Sequence, residues 1–295
     1  MAQLQFVRLE DRGILAVAGP DRRNFLQGLV SNDVTKLTPE RALYAAFLTP
    51  QGKYLHDFIM LEHAEEVWLD CEQTRLADLK RRLSVYRLRA KVELIERPAL
   101  AVAAVFGAGA AAALDLPPEA GAARQLDAGV ALVDPRLTEL GARLVVERGQ
   151  LSVYADTVAA ADFAAYDRHR LALGIPDGSR DLVPEKSILL EAGFDELHGV
   201  DWQKGCYIGQ ELTARTKYRG LIKKRLFPVR IDGEAPAPGT LVLRDGKEAG
   251  ELRSARDGFG LALLRLDAIA DDRLSAGASG IAPQRPAWMR ILQSE

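Results

Sequence analysis

The stretch Asp201-Trp202-Gln203-Lys204-Gly205-Cys206-Tyr207-Ile208-Gly209-Gln210-Glu211 carries the densest mixture of chemical groups in this sequence. It combines an ammonium, a thiol, two glycines, amides and carboxylates, a mixture that neither a core strand nor a solvated helix needs. Glycine at position 205 lets a backbone turn or approach a ligand closely. The stretch is therefore predicted to be a functional loop.

Cys206 has two interpretations at this stage. Gly209 is expected to open a helix near Gln210, so Cys206 would lie just before a helix N-terminus and close to Lys204, and both features favour a thiolate. In the alternative, Cys206 is a small buried hydrophobe and Lys204 is solvated, because a lone cysteine is usually structural. The residues alone leave both interpretations open.

A basic run with one aromatic side chain follows this stretch. Its members are Arg215, Lys217, Tyr218, Arg219, Lys223, Lys224 and Arg225. They suit phosphate contacts with one stacking ring, or else a solvated linker between domains. Arg215 stands four residues after Glu211, and an ion pair at that helical spacing would hold its guanidinium in place. Direct nucleic-acid binding is disfavoured but stays an alternative.

Polar residues at two other positions are also candidates. Glu191 is either a helix-end carboxylate or a partly buried group that accepts two hydrogen bonds from an amino-N-heterocycle such as a pterin. Asn32 and Asp33 follow a predicted helix, where they are either capping residues or ligand contacts. Neither choice is decided by residue type.

Composition limits the class of protein. With 39 basic and 41 acidic residues the formal net charge is -2, so no overall field selects nucleic acid or an anionic membrane. The two cysteines, Cys71 and Cys206, form no CxxC pair and indicate a reduced, intracellular protein. No apolar run approaches the roughly 18 residues of a membrane span. We therefore expect a cytoplasmic protein without a membrane helix.

Several common site motifs are absent from the sequence. The four histidines show no HxxH or HExxH spacing, and no P-loop or Gly-x-Ser-x-Gly elbow is present. Residues 106–112 resemble a dinucleotide-binding GxGxxA pattern, but Pro117 and Pro118 would end the helix that such a site requires. No metal site is predicted.

Apolar periodicity predicts a first unit that mixes strands and helices. Asp21 is expected to cap a helix that runs through Val30, and Thr74 to cap a second helix. Thr49-Pro50-Gln51-Gly52 has the composition of a type I turn and would join two strands into a hairpin. The predicted strands are residues 14–18, 43–48, 54–61, 67–71 and 91–96.

The remaining chain predicts a second mixed unit and a small barrel. Strands are expected at residues 100–106, 130–134 and 143–147, a short helix at 108–114, and a longer helix from Asp156 to Leu173. After Lys224, short apolar runs separated by Asp-Gly turns are typical of an antiparallel barrel. The class is therefore α+β, with domains 1–97, 98–224 (including the motif segment 175–224) and 225–295.

The motif Lys-Gly-Cys-Tyr-Ile-Gly-Gln-Glu at 204–211, preceded by Leu-Glu-Ala-Gly at 190–193, resembles the signature of the folate-binding, YgfZ-type iron-sulfur cluster assembly proteins. Residues 25–34 are similar to the first helix and following loop of that family, which is related to the glycine-cleavage aminomethyltransferase. The resemblance implies an aminomethyltransferase-like three-part ring. Two α+β units, the second ferredoxin-like, and a C-terminal antiparallel β-barrel would surround a central folate channel.

The resemblance also implies a binding site for tetrahydrofolate or a one-carbon derivative. Glu191 matches the glutamate that grips the pterin in the aminomethyltransferase, and Cys206 with Lys204 would supply the chemistry, Lys204 lowering the pKa of the thiol. The other expected cofactor-site residues, three of which would also order the turn, are Asn32, Asp33, Gln210, Glu211 and Arg215.

Two departures argue against ordinary aminomethyl transfer. Leu189 stands where the aminomethyltransferase usually has an arginine, two residues before the pterin-binding glutamate. The N-terminal catalytic aspartate of that enzyme has Asp78 as its nearest candidate. The resemblance therefore favours an assembly factor over a classical enzyme.

By this resemblance the protein is an accessory factor in the maturation or repair of [4Fe-4S] proteins. One cysteine cannot hold a cluster alone, so a transient shared cluster would need ligands from a partner such as an A-type iron-sulfur carrier or a [4Fe-4S] client enzyme. The alternatives are a folate-dependent one-carbon transferase and a nucleic-acid-associated factor linked to tRNA modification.

Overall fold

A computed structural model describes residues 3–155, 158–220, 222–270 and 273–290. The chain forms two compact units, the first from Met1–Leu48, His56–Tyr166 and Leu197–Ile208, the second from Thr49–Leu55, Asp167–Glu196 and Gly209–Glu295. Each unit is assembled from segments that are distant in sequence, and the cysteine motif passes from the first unit to the second after Ile208. The three domains expected from the sequence stay a prediction.

Eleven strands of the described residues precede the barrel. In chain order they are β1 (Gln5–Arg8), β2 (Arg12–Ala18), β3 (Leu43–Leu48), β4 (Tyr54–His63), β5 (Glu66–Glu72), β6 (Glu93–Glu96), β7 (Leu100–Phe106), β8 (Ala123–Leu126), β9 (Gly129–Val133), β10 (Ala142–Glu147) and β11 (Ala159–Ala160). They form a five-stranded sheet of order β3-β4-β5-β2-β6 and a six-stranded sheet of order β11-β1-β7-β10-β9-β8. Neighbours in the six-stranded sheet are antiparallel except β1 and β11, so β7 is not part of the parallel unit that a dinucleotide site needs.

The described residues contain six α-helices and a closed barrel. The helices are α1 (Arg22–Gln27), α2 (Leu76–Val85), α3 (Leu151–Ala155), α4 (Phe163–Leu173), α5 (Gly178–Asp181) and α6 (Gln210–Tyr218). The barrel strands are β12 (Lys224–Asp232), β13 (Leu241–Arg244), β14 (Lys247–Arg256), β15 (Phe259–Arg265), β16 (Leu274–Ala276) and β17 (Ser279–Pro283). Their order is β12-β15-β14-β13-β16-β17, and every pairing is antiparallel.

Buried charge joins the two sheets of the first unit. Asp70 in β5 accepts hydrogen bonds from Arg12 and from Arg143 in β10, both at 2.7 Å. Arg143 also donates to Asp134 at 2.9 Å, and all three of these side chains are buried. Such a network is costly to break because removal of one partner leaves a desolvated charge. It therefore fixes how the two sheets of this unit pack.

The strands agree closely with the predicted ones, whereas several helices do not. The helix predicted for 108–114 is only a 3-10 turn at Ala112–Leu114, because Gly107 and Gly109 have φ of 103° and 85° and a two-turn helix is marginal alone. The long helix predicted from 156 to 173 forms only in its second part, as α4, which ends at Leu173 as predicted. It starts at Phe163 because residues 159–160 pair as β11 with β1. Asp156 itself lies outside the described residues.

Two predicted helix caps are not formed. Asp21 does not cap α1, because its carboxylate instead accepts a hydrogen bond from the Lys91 amide at 2.8 Å. Thr74 lies inside a 3-10 turn, and α2 begins after it at Leu76. The leucines predicted to face the core from α2, namely Leu76, Leu79 and Leu83, are buried. Spacing therefore predicted the buried face of this helix but not its start.

No helix among the described residues is both long and apolar enough to cross a bilayer.

Candidate functional site

Lys204 is the anchor of the cysteine motif in the first unit. Its side chain is buried, and its Nζ donates to the carbonyl oxygens of Gln27, Val30 and Asn32 at 2.9, 2.5 and 2.8 Å. These carbonyls lie at and just beyond the end of α1, where backbone acceptors lack intrahelical partners. α1 therefore ends at Gln27 and not at Val30 as predicted, since the chain turns around this ammonium.

The environment of Lys204 changes its expected role. Burial lowers the pKa of its ammonium to about 8, while Asp33 and Asp201 act in the opposite direction. The ammonium also lies 4.9 Å from the centre of the Tyr207 ring. No hydrogen bond or ion pair of the described residues joins Lys204 to Cys206, so the predicted effect of Lys204 on the thiol gains no support from a contact. Its direct action is to position the segment that carries Cys206.

Further hydrogen bonds join residues 28–36 to residues 198–208. The Ser31 hydroxyl donates to the Gly199 carbonyl at 2.5 Å, and the Asp201 amide donates to the Ser31 carbonyl at 3.0 Å. Lys36 forms an ion pair with Asp201 at 2.5 Å. Two segments more than 160 residues apart in sequence are thus held together on both sides of the Lys204 anchor.

Asn32 and Asp33 have their side chains engaged within the protein. The buried Asn32 amide donates to the carbonyl oxygens of Tyr44 and His198, each at 2.7 Å. Asp33 accepts hydrogen bonds from Gln27 and Thr35. Burial alone would raise the pKa of Asp33, but the hydrogen bonds outweigh burial and hold the pKa below its usual value. Capping and turn chemistry therefore account for both residues, and their predicted contact with folate stays untested.

Cys206 and Gly205 are exposed at the surface of this segment. Gly205 is not in the left-handed region, and a Cβ added to it would meet no atom within 4 Å. The backbone at Gly205 therefore needs no left-handed turn, while the predicted close approach of a ligand stays a prediction. An accessible thiol beside unfilled space excludes the alternative in which Cys206 is a buried hydrophobe.

The rest of the motif belongs to the second unit. Gly209 has φ of 83° and precedes α6, which starts at Gln210 as predicted. Among the described ion pairs none joins Glu211 to Arg215, whose side chains are both exposed, so the predicted helical pair is not formed. Gln210 is half-buried. Within this unit these three residues place polar groups on one short helix.

Glu191 borders a cleft within the second unit. It lies in the 3-10 turn Leu189–Ala192 and is half-buried, and burial raises the pKa of its carboxyl group against the opposing effect of nearby cations. No hydrogen bond or ion pair to its carboxylate is present among the described residues. The cleft has an empty volume of about 230 Å³, and its walls include Leu182, Ser187, Ile188, Leu226, Arg253 and Leu263.

Arg253 is the cleft residue that sequence reasoning missed. It comes from β14 of the barrel, 62 residues after Glu191, in a strand whose alternation carries no sign of a site. Only the closure of β14 beside β15 brings it to the cleft wall. No local pattern of the sequence could have paired it with Glu191.

Asp78, the nearest candidate for a catalytic aspartate, is held by ion pairs. Asp78 pairs with His56, Arg81 and Arg82, and although burial raises the pKa of its carboxyl, hydrogen bonds from these groups hold it well below its usual range. A carboxylate so engaged is a poor general base, which agrees with the expectation against ordinary aminomethyl transfer.

The basic run is partly neutralised. Arg225 is buried and paired with Glu196, and Lys224 lies 3.7 Å from Glu248. In addition, the described residues contain no group of three or more His, Cys, Asp or Glu side chains arranged to hold a metal ion. Neither nucleic acid nor a resident metal gains support from this geometry.

Comparisons with known proteins agree with the fold. Residues 223–291 match the family model described as CAF17, C-terminal beta-barrel domain. The crystal structure of glycine cleavage system aminomethyltransferase T from Bartonella henselae aligns with a TM-score of 0.81 at 16% identity, over 97% of this chain and 86% of that one. The predicted α+β, aminomethyltransferase-like fold with a C-terminal antiparallel barrel is thereby confirmed.

Two curated relatives are much closer in sequence. The human protein "Iron-sulfur cluster assembly factor IBA57, mitochondrial" is 37% identical over 306 residues, covering 95% of this chain and 84% of that protein. The mouse protein of the same name is 37% identical over 291 residues, covering 89% and 78%. Because both names specify mitochondria, the expectation of a cytoplasmic protein is corrected. This chain belongs to the IBA57 family of iron-sulfur cluster assembly factors.

Proposed function

We propose that this protein acts in the assembly or repair of iron-sulfur clusters on recipient proteins, with Cys206 as the thiol that contacts the cluster or its carrier. The observation that carries the proposal is the exposure of Cys206 on a segment pinned by the buried Lys204. A thiol placed this way is accessible yet positioned, as a ligand or nucleophile requires. The names of the human and mouse relatives supply the reaction class.

The cluster is cargo in this proposal, and its other ligands come from elsewhere. Iron-sulfur clusters are held by several cysteine thiolates. The other cysteine of the chain, Cys71, is buried in β5 and is unavailable to a ligand. A cluster touching Cys206 therefore needs ligands from a second protein, either an A-type carrier or a [4Fe-4S] client enzyme.

A tetrahydrofolate site at Glu191 is the second part of the proposal, as expected for a YgfZ-type member of these proteins. The Glu191 carboxylate has no partner among the described residues, and it borders apolar walls formed by Leu182, Ile188 and Leu226. Two carboxylate oxygens match the adjacent N-H donors of a pterin, and apolar side chains suit its ring faces. The chemistry of these residues thus matches the head of the cofactor.

The size of the cleft limits what it can hold. Its empty volume of about 230 Å³ includes open solvent, and the enclosed part has about 10 Å³ of free space, enough for about one water molecule. We infer that a pterin ring enters only when side chains of the cleft wall move aside. When bound, tetrahydrofolate would supply one-carbon chemistry, while Glu191 would orient its ring.

The thiol is tested in cells depleted of the native protein. Cells carrying Cys206→Ala are expected to lose most of the activity of their [4Fe-4S] enzymes while the variant accumulates and folds normally. The matched control is Cys71→Ala, which changes the other thiol and should retain enzyme activity if it folds. Full [4Fe-4S] enzyme activity with Cys206→Ala would overturn the role of the thiol.

The folate site is tested by isothermal titration of the purified protein with tetrahydrofolate. We expect Glu191→Gln to weaken binding at least about tenfold, since a charge-assisted pair of hydrogen bonds is lost. Glu234→Gln, at an exposed position of the same unit, is the control and should bind like the unmodified protein. Absence of binding by the unmodified protein, or equal affinity in all three, would refute the site at Glu191.

A further inference from the structure

The most exposed large apolar side chain of the described residues lies far in sequence from the cysteine motif. Leu88, in the loop after α2, is 89% exposed, and Val85 at the end of that helix is 66% exposed. We call residues 85–91 the Leu88 loop. Single exposed apolar side chains are common, so the backbone and the charges around Leu88 decide whether this exposure has a use.

The backbone of the Leu88 loop is strained at its tip. The Ala90 amide donates to the Arg87 carbonyl at 2.7 Å, which closes a turn with Leu88 in its second position. Leu88 has φ of 42°, a left-handed conformation that glycine adopts easily and leucine does not. Since the side chain is not buried, packing does not compensate for this strain. Strain retained without a packing benefit points to a use of the exposed leucine.

Both ends of the Leu88 loop are held by the fold. The Tyr86 ring meets Phe47 edge to face with centroids 5.9 Å apart. On the other side, the Asp21 carboxylate accepts from the Lys91 amide at 2.8 Å, and the Asp21 amide donates to the Lys91 carbonyl. The leucine is therefore presented by an ordered turn, which lowers the entropic cost of binding.

Basic residues dominate the sequence on both sides of Leu88. No acidic residue lies between Asp78 and Glu93, a span that contains Lys80, Arg81, Arg82, Arg87, Arg89 and Lys91. The first three form ion pairs, Lys80 with Glu96 and the two arginines with the single carboxylate of Asp78. Arg87, Arg89 and Lys91 are exposed and form no ion pair among the described residues. An apolar tip is thus flanked by three uncompensated cations.

We propose that the Leu88 loop is a docking site for a protein partner that presents carboxylates around an apolar hollow. Leu88 inserts into the hollow, and the three cations pair with carboxylates at its rim. Such charge complementarity orients the partner and speeds its association. Nucleic acid would leave the leucine uncovered. Two short apolar side chains are also too few for stable membrane attachment, since even one acyl chain anchors only marginally.

The first step of the test is photo-crosslinking from the tip of the loop in the full-length protein in its own cells. Leu88→p-benzoylphenylalanine is expected to crosslink one protein, whereas the same substitution of Val153, which is 60% exposed, should not. The second step measures the affinity of the unmodified protein for that partner after the partner has been identified and purified. Arg87→Glu combined with Arg89→Glu should weaken it at least about tenfold, and high salt should do the same to the unmodified protein. Arg168→Glu, at an exposed position of α4, is the charge control.

Leu88→Gly separates docking from folding. It relieves the left-handed strain, so the resistance of the protein to urea should stay equal or rise while affinity for the partner falls. Several results would overturn the proposal: crosslinks to lipid or to a second copy of the chain, equal crosslinking from position 153, or an affinity indifferent to salt and charge reversal.

Discussion

Cys71 and Cys206 are residues of the same type, but Cys71 is buried and Cys206 is exposed. Cys71 lies in β5 beside the buried Asp70, donates to the Gly13 carbonyl at 3.6 Å, and has its pKa raised to about 12 by burial. Cys206 is exposed, and the buried charge near it, Lys204, binds backbone carbonyls. Around Cys71 the buried charges join two sheets, whereas near Cys206 the buried charge of Lys204 positions a surface segment. The two cysteines therefore differ through the contacts around them, since burial disfavours the Cys71 thiolate while Lys204 holds the segment that presents Cys206 to solvent.

The largest expected effect is on the rate of alkylation. Burial raises the pKa of the Cys71 thiol to about 12 and also shields its sulfur, so near pH 7.5 it has roughly a thousandth of the thiolate that it has when unfolded. Iodoacetamide should therefore modify native Cys71 about 10³-fold more slowly than unfolded Cys71, and much more slowly than the exposed Cys206. Mass spectrometry of peptides after timed quenching measures both rates, and urea should remove the difference. Comparable native rates would contradict the comparison.

The next effect is on stability and compares an aspartate from each region. Asp70→Asn leaves Arg12 and Arg143 buried with one carboxylate fewer, so we expect the free energy of unfolding to fall by about 3–5 kcal/mol. Asp201→Asn weakens a pair whose Lys36 partner is half exposed and should cost less than about 1 kcal/mol. Urea denaturation at pH 7 measures both changes. Equal losses would show that the two regions do not differ in this way.

Acid should weaken the sheet that shelters Cys71. Burial, aided by Arg75, lowers the pKa of His56 to about 4 against the opposing effect of Asp78. Between pH 6.5 and 4, His56 is therefore protonated in the unfolded chain but neutral in the folded one. The contribution of His56 to the free energy of unfolding is complete above pH 6.5, and it falls by up to about 3 kcal/mol as the pH drops to 4. Urea titrations across this range should show a shallower decline in His56→Gln, and an unchanged decline would refute the assignment.

Removal of the Lys204 anchor beside Cys206 should have a smaller effect on stability. Lys204→Met leaves three backbone carbonyls without their donor, which we expect to cost about 2 kcal/mol. Lys36→Met removes the exposed ion pair with Asp201 between the same two segments, so it is the control and should cost less than about 1 kcal/mol. Urea denaturation gives the free energies, and hydrogen exchange of residues 198–208 reports local loosening. Unchanged exchange there would show that Lys204 is not the anchor.

The smallest effect is expected at Gly205. Because its φ is not left-handed and its Cβ direction is open, Gly205→Ala should change the free energy of unfolding by less than about 0.5 kcal/mol. Gly209→Ala, at φ of 83°, should cost about 1–2 kcal/mol. Both follow from urea denaturation. If Gly205→Ala is as costly as Gly209→Ala, the open position inferred beside Cys206 is wrong.

Local sequence patterns predicted the strands well and the helix ends poorly. Residues 100–106 were predicted as a strand and form β7 with those bounds, since strand pairing follows a continuous apolar run. α1 stops three residues early because Lys204, 177 residues after Gln27, binds its terminal carbonyls. The candidate site shows the same division. Cys206 and Glu191 stood out by motif, while Arg253 reaches the cleft only through barrel closure.

The sequence by itself determined the class of fold, the barrel and the thiol motif, because periodicity, turn residues and the 204–211 signature are local properties of the chain. Only the tertiary structure decided which cysteine is accessible, what Lys204 binds and where the Leu88 loop projects. Those outcomes depend on burial and on partners more than 100 residues away, and a buried polar group takes whatever acceptor the packed chain brings within reach.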